Sequence, residues 1–293
     1  MSLVPVYQRR PSALHAARAG ASASFCLALA FAPILFDNPI VLGSLLAAIV
    51  AAAIGAGVAR ELRRWVVLAI GFALLVIIIN PLVNTDGLTV LWRGGSFLGR
   101  RWDITLEATI YGAVAALRVL DVVLAFALMS VTVDPDDLLR ALRRISYRSA
   151  LAAALTTRLV PVLARDASRK SDAARCRPEP PGRTTVARAA LAGSLERAVE
   201  LAAALEVRGY SRARRPQVAR RPWSRHDLRV LASAVAIVAL AVVAKLAGVG
   251  DFQAFPLTEV SAGPAEAALG AAFVALAYAP FRGATGRLGV ARA

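Results

Sequence analysis

Apolar positions along this chain gather into runs much longer than the alternation of a half-buried strand, and six of them approach the about 20 residues that a bilayer-crossing helix needs. They are Ala19 to Phe36, Ile40 to Ala59, Trp65 to Val83, Leu106 to Val131, Leu228 to Val249 and Ala265 to Pro280. The pattern predicts an all-α polytopic membrane helix bundle of about six transmembrane helices. Arg9, Arg10 and Arg18 precede the first run, which holds Ala28-Leu29-Ala30, so it has the ingredients of a cleaved leader. Only Asp37-Asn38-Pro39 separates it from the second run, however, and cleavage there would orphan that span. A helical hairpin is the simpler reading.

The polar segments between runs set the orientation, because Arg and Lys in short loops favour the cytoplasmic side. Arg9, Arg10 and Arg18 precede the first run, the Asp37-Asn38-Pro39 turn has no basic residue, and Arg60, Arg63 and Arg64 follow the second run. The segment 84–105 carries Arg93, Arg100 and Arg101 and is the one vote against alternation. Residues 132–227 then hold twenty arginines and lysines, 250–264 hold none, and Arg282, Arg287 and Arg292 close the chain. The expected layout is an N-terminal four-span bundle over 1–131, cytoplasmic helices over 132–227, and a transmembrane hairpin with tail over 228–293. Both termini are expected in the cytoplasm of a bacterial or archaeal cell, with the chain in its cytoplasmic membrane.

A connection as long as 132–227 needs structure of its own, since structureless loops beyond roughly 12–15 residues are uncommon. Asp134-Pro135 starts a helix well, with an Asp cap and Pro in the first turn, and puts Leu138, Leu139, Leu142 and Ile145 on one face. A second helix is expected over Ala150 to Arg175, kinked at Pro161, and a third over Thr185 to Arg208, closed by Gly209. Three uses compete for such basic amphipathic helices: anionic lipid, nucleic acid and another protein. Nucleic acid fits worst, because no aromatic platform interleaves with the arginines and the positive-inside bias already explains their sign.

Composition removes further classes. The 293 residues are 58% hydrophobic and 18% charged, with a net charge of +16, and the mean hydropathy is +0.59. The only lysines are Lys170 and Lys245, and neither follows the Gly-rich turn that a phosphate-binding loop requires, so any ATP hydrolysis would have to come from another polypeptide. Two cysteines, Cys26 and Cys176, and two histidines, His15 and His226, support neither a disulfide framework nor a metal cluster. The acidic patch Asp134-Pro135-Asp136-Asp137 could suggest magnesium, but helix capping accounts for it. No cofactor site is expected in this chain, and no catalytic residues.

Ionisable groups within a span are costly and point by default to function. Arg118 and Asp121 are three apart on the fourth run, which predicts an intramembrane charge pair on one helix face. Glu107 suits the start of that span, and Lys245 and Arg229 lie close enough to span ends to snorkel. Asn80-Pro81 marks a stop or break in the third span. Two long cytoplasmic helices have matching ends, Ala173-Ala174-Arg175-Cys176 and Glu206-Val207-Arg208-Gly209-Tyr210, 33 residues apart. An arginine at a helix C-terminus suits the dipole there, and its planar fork can hold a partner's carboxylate.

With the topology, these residues resemble the transmembrane T component of energy-coupling factor transporters, the family that includes cobalt and nickel uptake permeases. Its members carry two cytoplasmic helices that each end in a short Ala-Arg-Gly motif. Ala174-Arg175-Cys176 and Val207-Arg208-Gly209 match those positions, with Cys176 in place of the first glycine and Val207 in place of the second alanine. Asn80-Pro81-Leu82, the run from Thr105 through Arg118 to Val131, Asp134 to Leu142, and Arg158 with Pro161 extend the similarity over about 80–210. The resemblance implies that Ala174, Arg175, Val207, Arg208 and Gly209 dock two ABC-type ATPase subunits, or a fused pair, which bind the ATP and Mg. It also implies a separate small substrate-binding membrane subunit for a vitamin or metal ion. A self-contained secondary transporter, with a path near Arg118 and Asp121, is the alternative.

Overall fold

The computed structural model describes residues 10–83, 89–97, 100–142, 147–178, 181–208, 223–250, 252–253, 259–260 and 263–282. These divide into two compact units, Met1–Leu138 with Trp223–Ala293, and Leu139–Pro222.

The first unit is a helix bundle. After the short α1 (Ala13–Ala16) come α2 (Ala19–Leu35) and α3 (Pro39–Gly55). The turn between them is built from local chemistry: Asn38 Oδ1 accepts from the Ile40 amide at 2.9 Å while Pro39 occupies the first helical turn. Glycine ends α3. Gly57 adopts φ +70, and the amides of Gly57 and Val58 close back on the carbonyls of Ile54 and Ala53 at 3.0 Å each, a left-handed helix cap that only glycine adopts cheaply. The chain therefore turns two residues earlier than the hydropathy suggests. Arg60, Arg63 and Arg64, expected in a connecting loop, fall in the first turns of α4 (Ala59–Val83).

A hairpin follows. Strand β1 (Val90–Phe97) pairs antiparallel with β2 (Arg100–Thr105), setting Arg93 opposite Asp103 and Trp92 opposite Ile104. Thr105 ends β2 and caps α5 (Leu106–Thr132), its Oγ1 accepting from the Ala108 amide at 3.4 Å. Glu107 is buried and accepts from the Thr89 amide at 3.1 Å, so the carboxylate expected at this helix start fastens the chain entering the hairpin to the helix leaving it.

The bundle closes with α9 (Arg225–Leu246), the two-residue strands β3 (Phe252–Gln253) and β4 (Glu259–Val260), and α10 (Pro264–Tyr278), which runs on through a 3-10 turn to Phe281. Among the described residues, four helices are long and apolar enough to cross a membrane, namely α4, α5, α9 and α10 with its 3-10 turn. α2 and α3 are apolar but shorter, at 17 residues each. The expected six spans thus resolve into four of full spanning length and two shorter apolar helices, because the Asn38-Pro39 and Gly57 turns trim the first two.

α2 packs on α5 and α9, α3 on α5 and α10, and α4 on α5. Phe25, Leu29, Leu42, Leu45, Ile49, Leu124, Leu128, Ile237 and Phe273 fill the interior. The Phe36 and Phe273 rings meet edge to face with centroids 6.1 Å apart. α3 and α10 approach closely because Gly270 has no side chain, and a Cβ there would stand 2.7 Å from that of Ser44.

The second unit holds the second half of α6 (Pro135–Leu142), with α7 (Tyr147–Arg175) and α8 (Arg183–Val207). Asp134 caps α6, accepting from the Asp136 amide at 2.9 Å, as the sequence indicates. α7 begins three residues before the expected Ala150 and continues as one helix through Pro161.

Candidate functional site

The two arginines singled out by the sequence both sit at helix ends of the second unit. α7 ends at Arg175, and the chain then closes through the Cys176 amide on the Asp172 carbonyl and the Arg177 amide on the Ala174 carbonyl, both 3.3 Å. Ala174 is half-buried, while Arg175 and Cys176 are exposed. Backbone bonds within the last turn thus finish this end with a cysteine where the resemblance implies glycine. At the other end, Arg208 is the C-cap of α8 (φ −75), and its amide reaches the Ala204 carbonyl. Arg208 is exposed, and Val207 beside it is 90% exposed. Gly209 lies outside the described residues.

α7 and α8 run antiparallel, as two polar contacts show. Arg197 Nη2 donates to Asp166 Oδ2 at 2.5 Å, and Lys170 Nζ donates to the Ala189 carbonyl at 2.8 Å. The Arg197 guanidinium, with lesser help from Arg169 and Lys170, holds the Asp166 carboxyl below its ordinary value of 3.8. Because the helices are antiparallel, Arg175 lies beside the start of α8 and Arg208 at its far end. α8 itself, 25 residues long at a rise of about 1.5 Å per residue, extends about 37 Å. Two exposed guanidiniums toward opposite ends of α8 can be held by two separate acceptors at once.

α8 also carries an apolar stripe away from α7. Leu191, Leu195 and Val199, each four residues on, are 69%, 69% and 64% exposed, a pattern that asks for a cover of lipid or protein. Periodicity alone could have found this stripe. Asp166, Lys170, Gly193 and Arg197 were beyond sequence reasoning, since nothing local pairs residues 19 to 31 positions apart. In retrospect, a lysine in a chain of arginines and a glycine in mid-helix were the available signals.

Within the bundle, the structure corrects the intramembrane pair. Arg118 does not engage Asp121. Its guanidinium turns to the C-terminal end of α2, where Nε donates to the Pro33 carbonyl at 3.2 Å and Nη2 to the Phe36 carbonyl at 2.9 Å, and it forms an ion pair with Asp37. The physical reason is the helix end itself: the last carbonyls of α2 lack intrahelical donors, and the dipole there favours a cation. Asp121 is 0% exposed, and neither of its oxygens has a hydrogen-bond partner among the described residues. Among the described residues there is also no group of three or more His, Cys, Asp or Glu able to hold a metal.

At the start of α9, a further polar knot ties α2 to the point where the chain rejoins the bundle. Buried Asp227 accepts from the Arg18 amide at 2.6 Å and from the Ser224 amide at 2.9 Å. The Arg18 guanidinium lies 3.5 Å from the same carboxylate and 4.7 Å above the Trp223 ring. Ser224 completes the cap by accepting from the His226 amide at 3.2 Å.

No curated protein matches the chain. A family model described as cobalt transport protein, CbiQ, matches residues 11–219, a stretch that takes in α1 to α8 with both arginine-bearing helix ends. The chain belongs to this family, the T components of energy-coupling factor transporters, and is a multi-pass, non-catalytic transporter subunit of the plasma membrane.

Proposed function

We propose that this T component couples ATPase motion to transport, with Arg175 and Arg208 as the anchors for two ABC-type ATPase subunits or a fused pair. The observation that carries the reading is the placement of two exposed arginines at the C-terminal ends of the antiparallel helices α7 and α8. Each guanidinium stands at a helix C-terminus, where it can insert into an acidic groove and make a bidentate contact. ATP and Mg belong to the partner chains in this account. A separate small membrane subunit binds the micronutrient, a vitamin or a metal ion.

The mechanism follows from mechanics rather than chemistry. When the ATPases close on ATP and reopen after hydrolysis, the anchored ends of α7 and α8 move with them. A helix pair fixed in register passes that displacement on as a rigid lever, and the membrane bundle reorients the substrate-binding subunit. The test is whether ATPase subunits copurify with the tagged chain and leave when both anchors are reversed to Glu.

A further inference from the structure

The coupling reading requires the two anchors to keep a fixed spacing, and the contacts between α7 and α8 have the form of a register lock. Glycine is the poorest helix former after proline, yet Gly193 sits near the middle of α8. Its lack of a side chain makes a notch. A Cβ at 193 would stand 2.6 Å from Lys170 Nζ, so with any other residue there the ammonium would have to move from its present seat against the Ala189 carbonyl. One turn along both helices, Asp166 and Arg197 form the ion pair. Asp166 and Lys170 are four apart on α7, Gly193 and Arg197 four apart on α8, so the two contacts share one face of each helix. Sliding either helix by one residue rotates both partners away by about 100°. Lysine suits the notch better than the arginine that dominates this chain, because its ammonium is compact while a guanidinium is a wide planar fork.

We propose that Lys170 in the Gly193 notch, together with the Asp166–Arg197 pair, is a register clamp that fixes the spacing of Arg175 and Arg208, making these four residues positioning residues for coupling. The inference rests on the coupling reading, but the clamp itself is testable without it.

The chain supplies a probe: Cys176 is an exposed thiol beside Arg175, Val207→Cys adds a second beside Arg208, and Cys26 is buried in the core. Spin labels at 176 and 207 of the full chain in lipid nanodiscs should report one narrow distance distribution. Gly193→Ala and Lys170→Met should each broaden it or add a second population. Alanine is the better helix former, so Gly193→Ala should not lower the melting temperature, which separates loss of the clamp from loss of fold. Asp166→Arg should broaden the distribution and Asp166→Arg with Arg197→Asp should narrow it again.

In the complex, Gly193→Ala should weaken ATPase retention several-fold, and it should add nothing in an Arg208→Ala background, where one anchor remains and spacing no longer matters. Identical label distributions in the parent, Gly193→Ala and Lys170→Met would overturn the clamp. A clamp-dependent distribution in a chain whose Arg175→Glu, Arg208→Glu variant keeps its ATPases would instead retain the clamp and overturn the coupling reading.

Discussion

Arg118 on α5 pairs with Asp37, just beyond the C-terminal end of α2, and not with Asp121 one turn along its own helix. The pairing makes Arg118 a cap for α2 as well as an ion-pair partner, since the same guanidinium serves the carbonyls of Pro33 and Phe36. Arg118→Ala should therefore destabilise the bundle by about 1–3 kcal/mol, the cost of leaving such acceptors without donors. Asp121→Leu should act in the opposite direction, because it removes a buried polar group that has no partner among the described residues. Thermal unfolding of both variants in the same detergent checks the pair of signs; destabilisation by both would restore a direct Arg118–Asp121 interaction.

The knot around Asp227 makes a separate prediction. Asp227→Ala removes the acceptor for two amides and the partner of the Arg18 guanidinium, and should cost about 1–3 kcal/mol. Trp223→Ala, which removes only the ring under Arg18, should cost less, about 0.5–1 kcal/mol. The ranking is read from unfolding midpoints, and a larger loss for Trp223→Ala would contradict it.

Acid should loosen the α7–α8 pair through Asp166. Its carboxyl titrates below the ordinary 3.8 in the folded chain, chiefly because of the Arg197 hydrogen bond. A group with a depressed folded value contributes stability that is present above 3.8 and lost as pH falls through the folded value. The distance between labels at 176 and 207 should accordingly stay constant down to about pH 4 and spread below it. Asp166→Asn should abolish that acid dependence and show a spread distribution at neutral pH.

A charge reversal at an anchor should differ sharply from one on the bundle. Arg208 and Arg63 are both exposed, but only Arg208 stands at the end of the α7–α8 rod. Arg208→Glu should weaken ATPase binding by about 2–5 kcal/mol, the loss that follows when a buried partner charge is left unpaired, and Arg63→Glu should leave it within a factor of about two. Equal affinities for the two variants in a titration of ATPase subunits against the solubilised chain would remove Arg208 from the interface.

How far the sequence led differs between the two parts of the molecule. Helices α4, α5, α9 and α10 were legible because a spanning helix is recorded locally, as one unbroken apolar run. The two ends Arg175 and Arg208 were legible because each closes its own helix. The β1–β2 hairpin was not, since Arg93, Arg100 and Arg101 read as a charged loop, and strand pairing of Arg93 with Asp103 depends on a partner strand. The sites that sequence reasoning missed or misassigned share a cause. Arg118 and Asp37 are 81 residues apart, and a helix end that competes for the guanidinium cannot be seen in an i, i+3 spacing. Likewise the notch at Gly193 exists only once Lys170 has been brought beside it.

The central claim is that Arg175 and Arg208 hold the ATPases. Its most direct measurement is affinity purification of the tagged chain from its native membrane in mild detergent, beside the Arg175→Glu, Arg208→Glu double variant at equal expression. The account predicts that ABC-type ATPase subunits copurify with the parent and are lost from the variant, while both proteins retain the same melting temperature. A partnerless parent chain that transports on its own in liposomes would contradict it and favour a self-contained transporter.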